Sequence, residues 1–294
     1  MMDFRKALSG QQTILLDGAT GTQLAAKGLE PGGARNLSHP DAVRAVHEAY
    51  VQAGSRVIIT NTLTMNRIFL SAGGADAVDV GAVNRAGAEI ARSAANRISG
   101  GGFVLGDISS TGHLLEPYGS LAEADAVECY REQASILASS GVDGFIIETM
   151  IDLKEALCAL RACKEVSTLP VLVTMSFSVL KDGGRTVMGN SAQECAKALS
   201  GEGADAIGTN CGELDPFEVA LVVAELRRHT PLPLIAQPNG GKPRLVDGKA
   251  VFDLSPDAFA QGIQKCIHNG AGLVGGCCGT GPAHIKAVAS LLSS

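Results

Sequence analysis

Nowhere in the 294 residues is there an uninterrupted apolar run of about 18 or more, so no membrane span is expected. The opening stretch MMDFRKALSGQQ holds no apolar segment long enough for a secretory signal, which makes a cytoplasmic location the expectation. Basic clusters are missing too. The 24 Lys and Arg are scattered against 30 Asp and Glu, for a net charge of −6, and nucleic acid is not an expected partner. No two histidines stand at H-x-x-x-H spacing, so histidine-based metal chemistry is not indicated. His47, His229, His268 and His284 fall on predicted helices, at solvent-facing or half-buried positions, and His39 and His113 in loops. No linker or composition break divides the chain, and residues 1–294 read as one domain. Eight cysteines in such a chain do not make a disulfide framework, which belongs to small secreted domains.

What is present is a regular alternation. Hydrophobic residues make up 46% of the chain, enough for a large core, and 36 glycines suit many tight loops. Eight short runs, apolar nearly throughout, fall at 13–16, 56–60, 103–105, 144–147, 171–175, 206–209, 232–236 and 272–275. Strands buried on both faces have this character. Between them lie segments of helical spacing, one after Pro40 with Val43, Val46 and Tyr50 on one face and Gly54 as its stop. The others fall at 76–98, 122–140, 151–166, 192–202, 215–229, 256–268 and 282–292. Ser120 with Glu123, and Ser191 with Glu194, fit the capping box; Asp215-Pro216 and Ser255-Pro256 place a capping side chain before a helix-starting proline. Eight strand–helix units joined by short crossovers favour a closed α/β barrel of the (β/α)₈ TIM type, with an open doubly wound sheet as the alternative.

In such a barrel the chemistry sits where the strands end. The residues just past the eight runs are Asp17, Asn61, Asp107, Glu148, Ser176, Asn210 with Cys211, Gln237 with Asn239, and Cys277 with Cys278. Strands six and eight stand two apart on one rim, close enough for Cys211, Cys277 and Cys278 to share one tetrahedral zinc ion. Three thiolates without a fourth leave an open position, the arrangement of a catalytic site. Asn239, between the two cysteine-bearing strands, is a weak fourth ligand or else a cap of the turn at Pro238. Two other readings stay open. The cysteines are inert packing or a vicinal disulfide, or Gly275, Gly276, Gly279 and Gly281 form a phosphate cradle of the kind barrels build after their last strands. Cys129, Cys158, Cys163, Cys195 and Cys266 fall in helical segments and carry no expected role.

The motifs Asp17-Gly18-Ala19-Thr20-Gly21-Thr22, Gly208-Thr209-Asn210-Cys211, Gln237-Pro238-Asn239 and Gly275-Gly276-Cys277-Cys278-Gly279-Thr280 together resemble the homocysteine S-methyltransferase family over about residues 10–290. Asn36-Leu37-Ser38-His39-Pro40, Thr60-Asn61-Thr62 and Leu114-Leu115-Glu116-Pro117 look most like the homocysteine-binding module of cobalamin-dependent methionine synthase. One departure falls in Gly106-Asp107-Ile108-Ser109-Ser110-Thr111-Gly112, where those modules carry Gly-Pro before Thr-Gly. The resemblance implies zinc-dependent transfer of a methyl group to the thiolate of homocysteine, giving methionine. It implies that Asp17 and Glu148 meet the substrate's amino group, while the loop with Gly18 and Gly21 offers backbone N–H groups to its carboxylate. No Asp-x-His-x-x-Gly stretch resembling a cobalamin module occurs, so the expected donor is a methylcorrinoid on a separate protein, docked on the loops at 61–68, 113–119 and 242–251. A small donor, S-methylmethionine or a betaine, is the alternative. A phosphate-ligand barrel enzyme and a non-catalytic accessory subunit are the readings outside this class.

Overall fold

Each of the eight apolar runs is a strand in the computed structural model, which describes residues 3–74, 78–246 and 249–293. The strands are β1 Ile14–Leu15, β2 Val57–Ile59, β3 Phe103–Ile108, β4 Gly144–Met150, β5 Val171–Met175, β6 Ala206–Asn210, β7 Leu234–Gln237 and β8 Ala271–Val274. The helices that follow them are α1 Pro40–Ala53, α2 Val80–Ala95, α3 Glu123–Ser139, α4 Leu153–Val166, α5 Ala192–Gly201, α6 Pro216–Arg227, α7 Pro256–His268 and α8 Pro282–Ser293. The sheet runs β1-β8-β7-β6-β5-β4-β3-β2, every pairing parallel. This order is a barrel and excludes the doubly wound alternative.

The seam between β1 and β2 closes by single hydrogen bonds. Arg56 N–H donates to the Leu15 carbonyl at 2.8 Å, and the Ser55 hydroxyl to the Leu16 carbonyl at 3.2 Å. Ile59 N–H donates to Oδ2 of Asp17 at 3.0 Å. A strand-end carboxylate thus stands in for a missing backbone acceptor.

Two apolar layers explain why the runs are apolar on both faces. One lies between strands and helices. The other fills the barrel with Leu16, Val57, Ile59, Leu105, Ile146, Leu172, Ile235 and Leu273. A short helix, Phe4–Leu8, plugs the lower end, with Phe4 and Leu8 buried in the inner layer and the Phe4 ring 5.0 Å from that of Phe103. Sequence periodicity had no purchase on this plug, which is under two turns long.

The caps at Ser191, Asp215 and Ser255 form as expected, and Asp215 also makes a reciprocal box with Glu218. The Ser120–Glu123 box does not form. α3 starts one residue after Ala122, and Glu123 is drawn to Lys154 at 2.6 Å instead. The helix expected over 76–98 begins at Val80, capped by Asp79; residues 76–77 lie outside the described residues. Among the described residues no helix is long and apolar enough to cross a membrane.

Candidate metal centre

Successive strand residues face opposite sides, so the positions that fill the barrel can be followed upward two residues at a time. Phe103 and Leu105 lead to Asp107, Ile146 to Glu148, Ile235 to Gln237, and Leu273 by way of Gly275 to Cys277. The inner wall therefore turns from apolar to polar at one level, at the C-terminal mouth.

On one side of the mouth lie the sulfurs. One Sγ from each of Cys211, Cys277 and Cys278 falls within 4.8 Å of the others, and Cys211 and Cys278 are 3.8 Å apart. Tetrahedral bonds of about 2.3 Å from sulfur to zinc put sulfurs about 3.8 Å apart, so the spacing fits an ion and is far too long for a disulfide. All eight cysteines are free. The local backbone is bent to this end. Cys211 has φ 55°, unusual for a residue with a side chain, and Gly212 follows at φ 78°. At Gly276 a Cβ would lie 2.4 Å from Thr280 Oγ1, so only glycine lets the Cys-Cys turn close.

The phosphate cradle is weakened because most of its donors are taken. Such a nest needs free backbone N–H groups. Here Gly275 donates to the Ala236 carbonyl at 3.1 Å, Gly276 to that of Asp17 at 3.0 Å, Cys277 to that of Pro238 at 2.9 Å and Thr280 to that of Cys277 at 3.1 Å. Gly281 N–H is taken by His284 Nδ1 at 3.2 Å. Three of the four glycine N–H groups that such a nest would use are therefore already engaged.

Crowding sets the charge on the thiols. Cys278 is pushed down to about 3 by hydrogen bonds from Cys211 and Cys277. Cys277 is pushed up by its bonds with Cys211 and Cys278 and by burial. For Cys211 the bond with Cys277 pulls down, but the bond to Cys278 and burial outweigh it and raise it to about 11. One thiolate is easy and three are not, unless a cation joins them. Asn210 braces the cluster from behind. Its Nδ2 donates to Thr149 Oγ1 at 2.8 Å and lies 3.7 Å from Cys277 Sγ. Its Oδ1 accepts from Thr149 N at 2.8 Å and Thr174 Oγ1 at 2.7 Å. Asn239 donates through Nδ2 to the Gly212 carbonyl at 2.8 Å, and its Oδ1 is buried with no partner.

Across the mouth lie three carboxyls. Asp17 is raised by burial and by Glu148, against a lowering bond from Ile59. Asp107 is raised by burial, Glu148 and Asp17. Glu148 is raised to about 8 by burial and by Cys211. No Lys or Arg figures among these influences. Gly18 lets the β1 loop lie against α1, since a Cβ there would come within 2.9 Å of the Tyr50 ring and 2.8 Å of Thr280 Oγ1. Tyr50 in turn donates to the Ala19 carbonyl at 3.0 Å. Of the strand-end residues, Asn61 turns away from the mouth, donating to the Gly32 carbonyl at 3.2 Å and Asn36 Oδ1 at 3.0 Å. The sequence placed Tyr50 on a helix face and Thr280 in the last motif, but assigned neither a place at the site because neither ends a strand.

The histidines stay out of the site, with one correction. His47 is fully buried, not half-buried; neither ring nitrogen has a partner, and burial lowers it to about 4. Its place on the apolar face of α1, one residue from Val46, was visible in the spacing. The five helical cysteines are all buried.

A parallel eight-stranded barrel with three thiols and three carboxyls gathered at its C-terminal mouth belongs to the class of barrels that carry their chemistry at that face. Residues 14–292 match the family model for homocysteine S-methyltransferase, and the chain belongs to that family. Methionine synthase of Mycobacterium tuberculosis is 30% identical over an alignment of 303 positions that covers 97% of this chain and 25% of that protein. The Mycobacterium leprae enzyme of the same name is 30% identical over 96% of this chain and 24% of its own length. The chain thus spans about a quarter of these curated relatives. The metallated form of the homocysteine methyltransferase MmuM from Escherichia coli has the same fold, with a TM-score of 0.80, 23% identity, and coverage of 99% of this chain and 100% of that one.

Proposed function

We propose that this chain transfers a methyl group to the thiolate of homocysteine, giving methionine, with zinc held by Cys211, Cys277 and Cys278. The observation that carries the reading is the set of three Sγ atoms within 4.8 Å at the barrel mouth, at the spacing of a tetrahedral ion's ligands. When bound, zinc would keep an incoming thiol deprotonated at neutral pH, where a free thiol with a pKa near 8.5 is mostly protonated. Everything else falls to the chain. Asn239 Oδ1, buried and unpartnered, suits a weak fourth ligand that yields to substrate, and it is not used for capping the Pro238 turn. Asp17 and Glu148 meet the ammonium group, since a buried cation needs a counter-charge. The turn at Gly18 brings the start of the helix Thr20–Ala26, with its free first-turn N–H groups, toward the substrate carboxylate. Anchored at both ends, the thiolate is held in line with the methyl group, and positioning lowers the barrier.

The donor in this reading is a methylcorrinoid on a separate protein. The likeness to methionine synthase supports it, as does the exposed apolar surface of two rim loops. Leu114 and Tyr118 are exposed in one, and Leu245, Val246 and Val251 in the hairpin Arg244–Val246 with Lys249–Val251. Residues 247–248 of that third loop lie outside the described residues. The loop at 61–68 offers less, because Asn61, Thr62, Met65 and Asn66 are buried. The test is metal analysis followed by methyl-transfer assays on homocysteine with a methylated corrinoid protein, S-methylmethionine and a betaine. One zinc per chain and methionine formed only with the corrinoid protein is the expected result. Methionine from a small donor alone at about 1 s⁻¹ or faster would overturn the corrinoid part. No zinc and no methionine with any donor would overturn the whole.

A further inference from the structure

Asp107 is tied down everywhere except at its carboxyl group. Its backbone N–H donates to Thr60 Oγ1 at 2.9 Å, and its carbonyl accepts from Thr62 Oγ1 at 2.8 Å and Gln133 Nε2 at 3.4 Å. The side chain stands on the inner face of β3, in phase with Phe103 and Leu105, and only 4% of the residue is exposed. Oδ1 is fully buried and has no hydrogen-bond partner. An unpaired buried carboxyl is costly, and a backbone held from three sides aims it at a fixed point rather than letting it relax. The charges that reach it are those of two more carboxyls, Asp17 and Glu148, and no basic side chain is among them. One oxygen of Asp17 is already occupied by Ile59 N–H.

An ammonium group has three N–H donors and no acceptor, and it is the complement such a trio lacks. We infer that Asp107 is a third substrate-binding carboxyl, which accepts a hydrogen bond from the substrate's ammonium group and selects α-amino thiols over thiols that lack the amine. The inference rests on the proposed homocysteine reading and adds to it a residue and a specificity. A serine pair helps to hold this wall. Ser109 Oγ donates to the Glu148 carbonyl at 2.7 Å, and Ser110 Oγ to Glu155 Oε2 at 2.9 Å, which stitches the β3 loop to β4 and α4.

The test compares homocysteine with 4-mercaptobutanoate, the same thiol acid without its amino group, by calorimetric titration of zinc-loaded wild type and Asp107→Asn. Asparagine keeps the shape and removes the charge. Wild type should prefer homocysteine, and the variant should lose that preference by tenfold or more while binding 4-mercaptobutanoate as before. Thermal melting should show the variant about as stable as wild type, because the three hydrogen bonds that hold Asp107 are to its backbone and survive the substitution. An unchanged preference would overturn the inference and leave the homocysteine reading standing. Equal loss of both ligands, or a marked fall in melting temperature, would make Asp107 structural and overturn it as well. A wild type that binds no homocysteine would sink both.

Discussion

The mouth of the barrel has two halves, and they solve opposite problems with the same kind of crowding. On the side of β6 and β8, three thiols lie within 4.8 Å of one another, backed by Asn210 and built on turns that only glycine can make. On the side of β1, β3 and β4, three buried carboxyls act on one another, and no Lys or Arg figures among the influences on them. Each half gathers like groups that resist ionising together, and each can ionise fully only beside a cation. The difference lies in which cation. Soft sulfurs at tetrahedral spacing fit a resident metal ion, whereas hard oxygens with one uncommitted atom fit a visiting ammonium. A substrate with a thiol at one end and an amine at the other is complementary to both.

The most severe way to break this comparison is to damage the sulfur half alone. Cys278→Ala should abolish both metal binding and activity, since two thiolates and a weak amide oxygen do not hold zinc at a catalytic site. Metal analysis of the purified variant checks this; one full zinc per chain would remove Cys278 from the ligand set. The converse damage is milder. Glu148→Gln should keep its zinc and lose kcat/KM by one to several orders of magnitude, at about 1.4 kcal/mol per tenfold. Unchanged steady-state kinetics, or loss of the metal, would erase the division between the halves.

A third prediction uses pH on metal-free, ligand-free protein. Glu148 is raised in the folded state to about 8 from 4.5, so the folded chain holds a proton that the unfolded chain has released. Stability from this group is full at low pH and is lost as pH climbs toward 8. Between pH 6.5 and 8 the loss should reach about 2 kcal/mol, read from urea midpoints. Glu148→Gln should make the slope shallower without abolishing it, since burial raises Asp17 and Asp107 as well, and a wild-type profile already flat across that window would mean the carboxyls are not crowded.

How much of this was visible beforehand follows from where each signal resides. The barrel was legible because strands buried on both faces leave continuous apolar runs, and all eight appeared at their expected places. Cys277 and Cys278 were legible because adjacent cysteines between glycines are hard to explain otherwise. Asp107 was visible only as a strand end; that its Oδ1 lacks a partner is a fact of three dimensions. The Ser120–Glu123 pair had the spacing of a cap, yet Lys154 from the next helix competes for Glu123, and tertiary contact won. The plug at Phe4–Leu8 is too short for periodicity to register.

The smallest expected effect comes from His47, which sharpens the comparison by standing outside both halves. It lies on α1, fully buried, with neither nitrogen bonded, and burial lowers it to about 4 from 6.5. The sign is the reverse of Glu148's. The unfolded chain takes up a proton that the folded chain refuses, so stability is full above pH 6.5 and is lost as pH falls toward 4. At pH 5.5 this amounts to about 1 kcal/mol relative to neutral pH. His47→Leu should remove that acid-side loss without touching zinc content or the slope between pH 6.5 and 8, since leucine fills a similar space and leaves no nitrogen unpaired. Denaturation midpoints at pH 5.5 and 7.5 decide it. If wild type and variant lose the same stability on acidification, the acid sensitivity belongs elsewhere; if the variant flattens the alkaline slope too, the carboxyl pocket is not the independent unit described above.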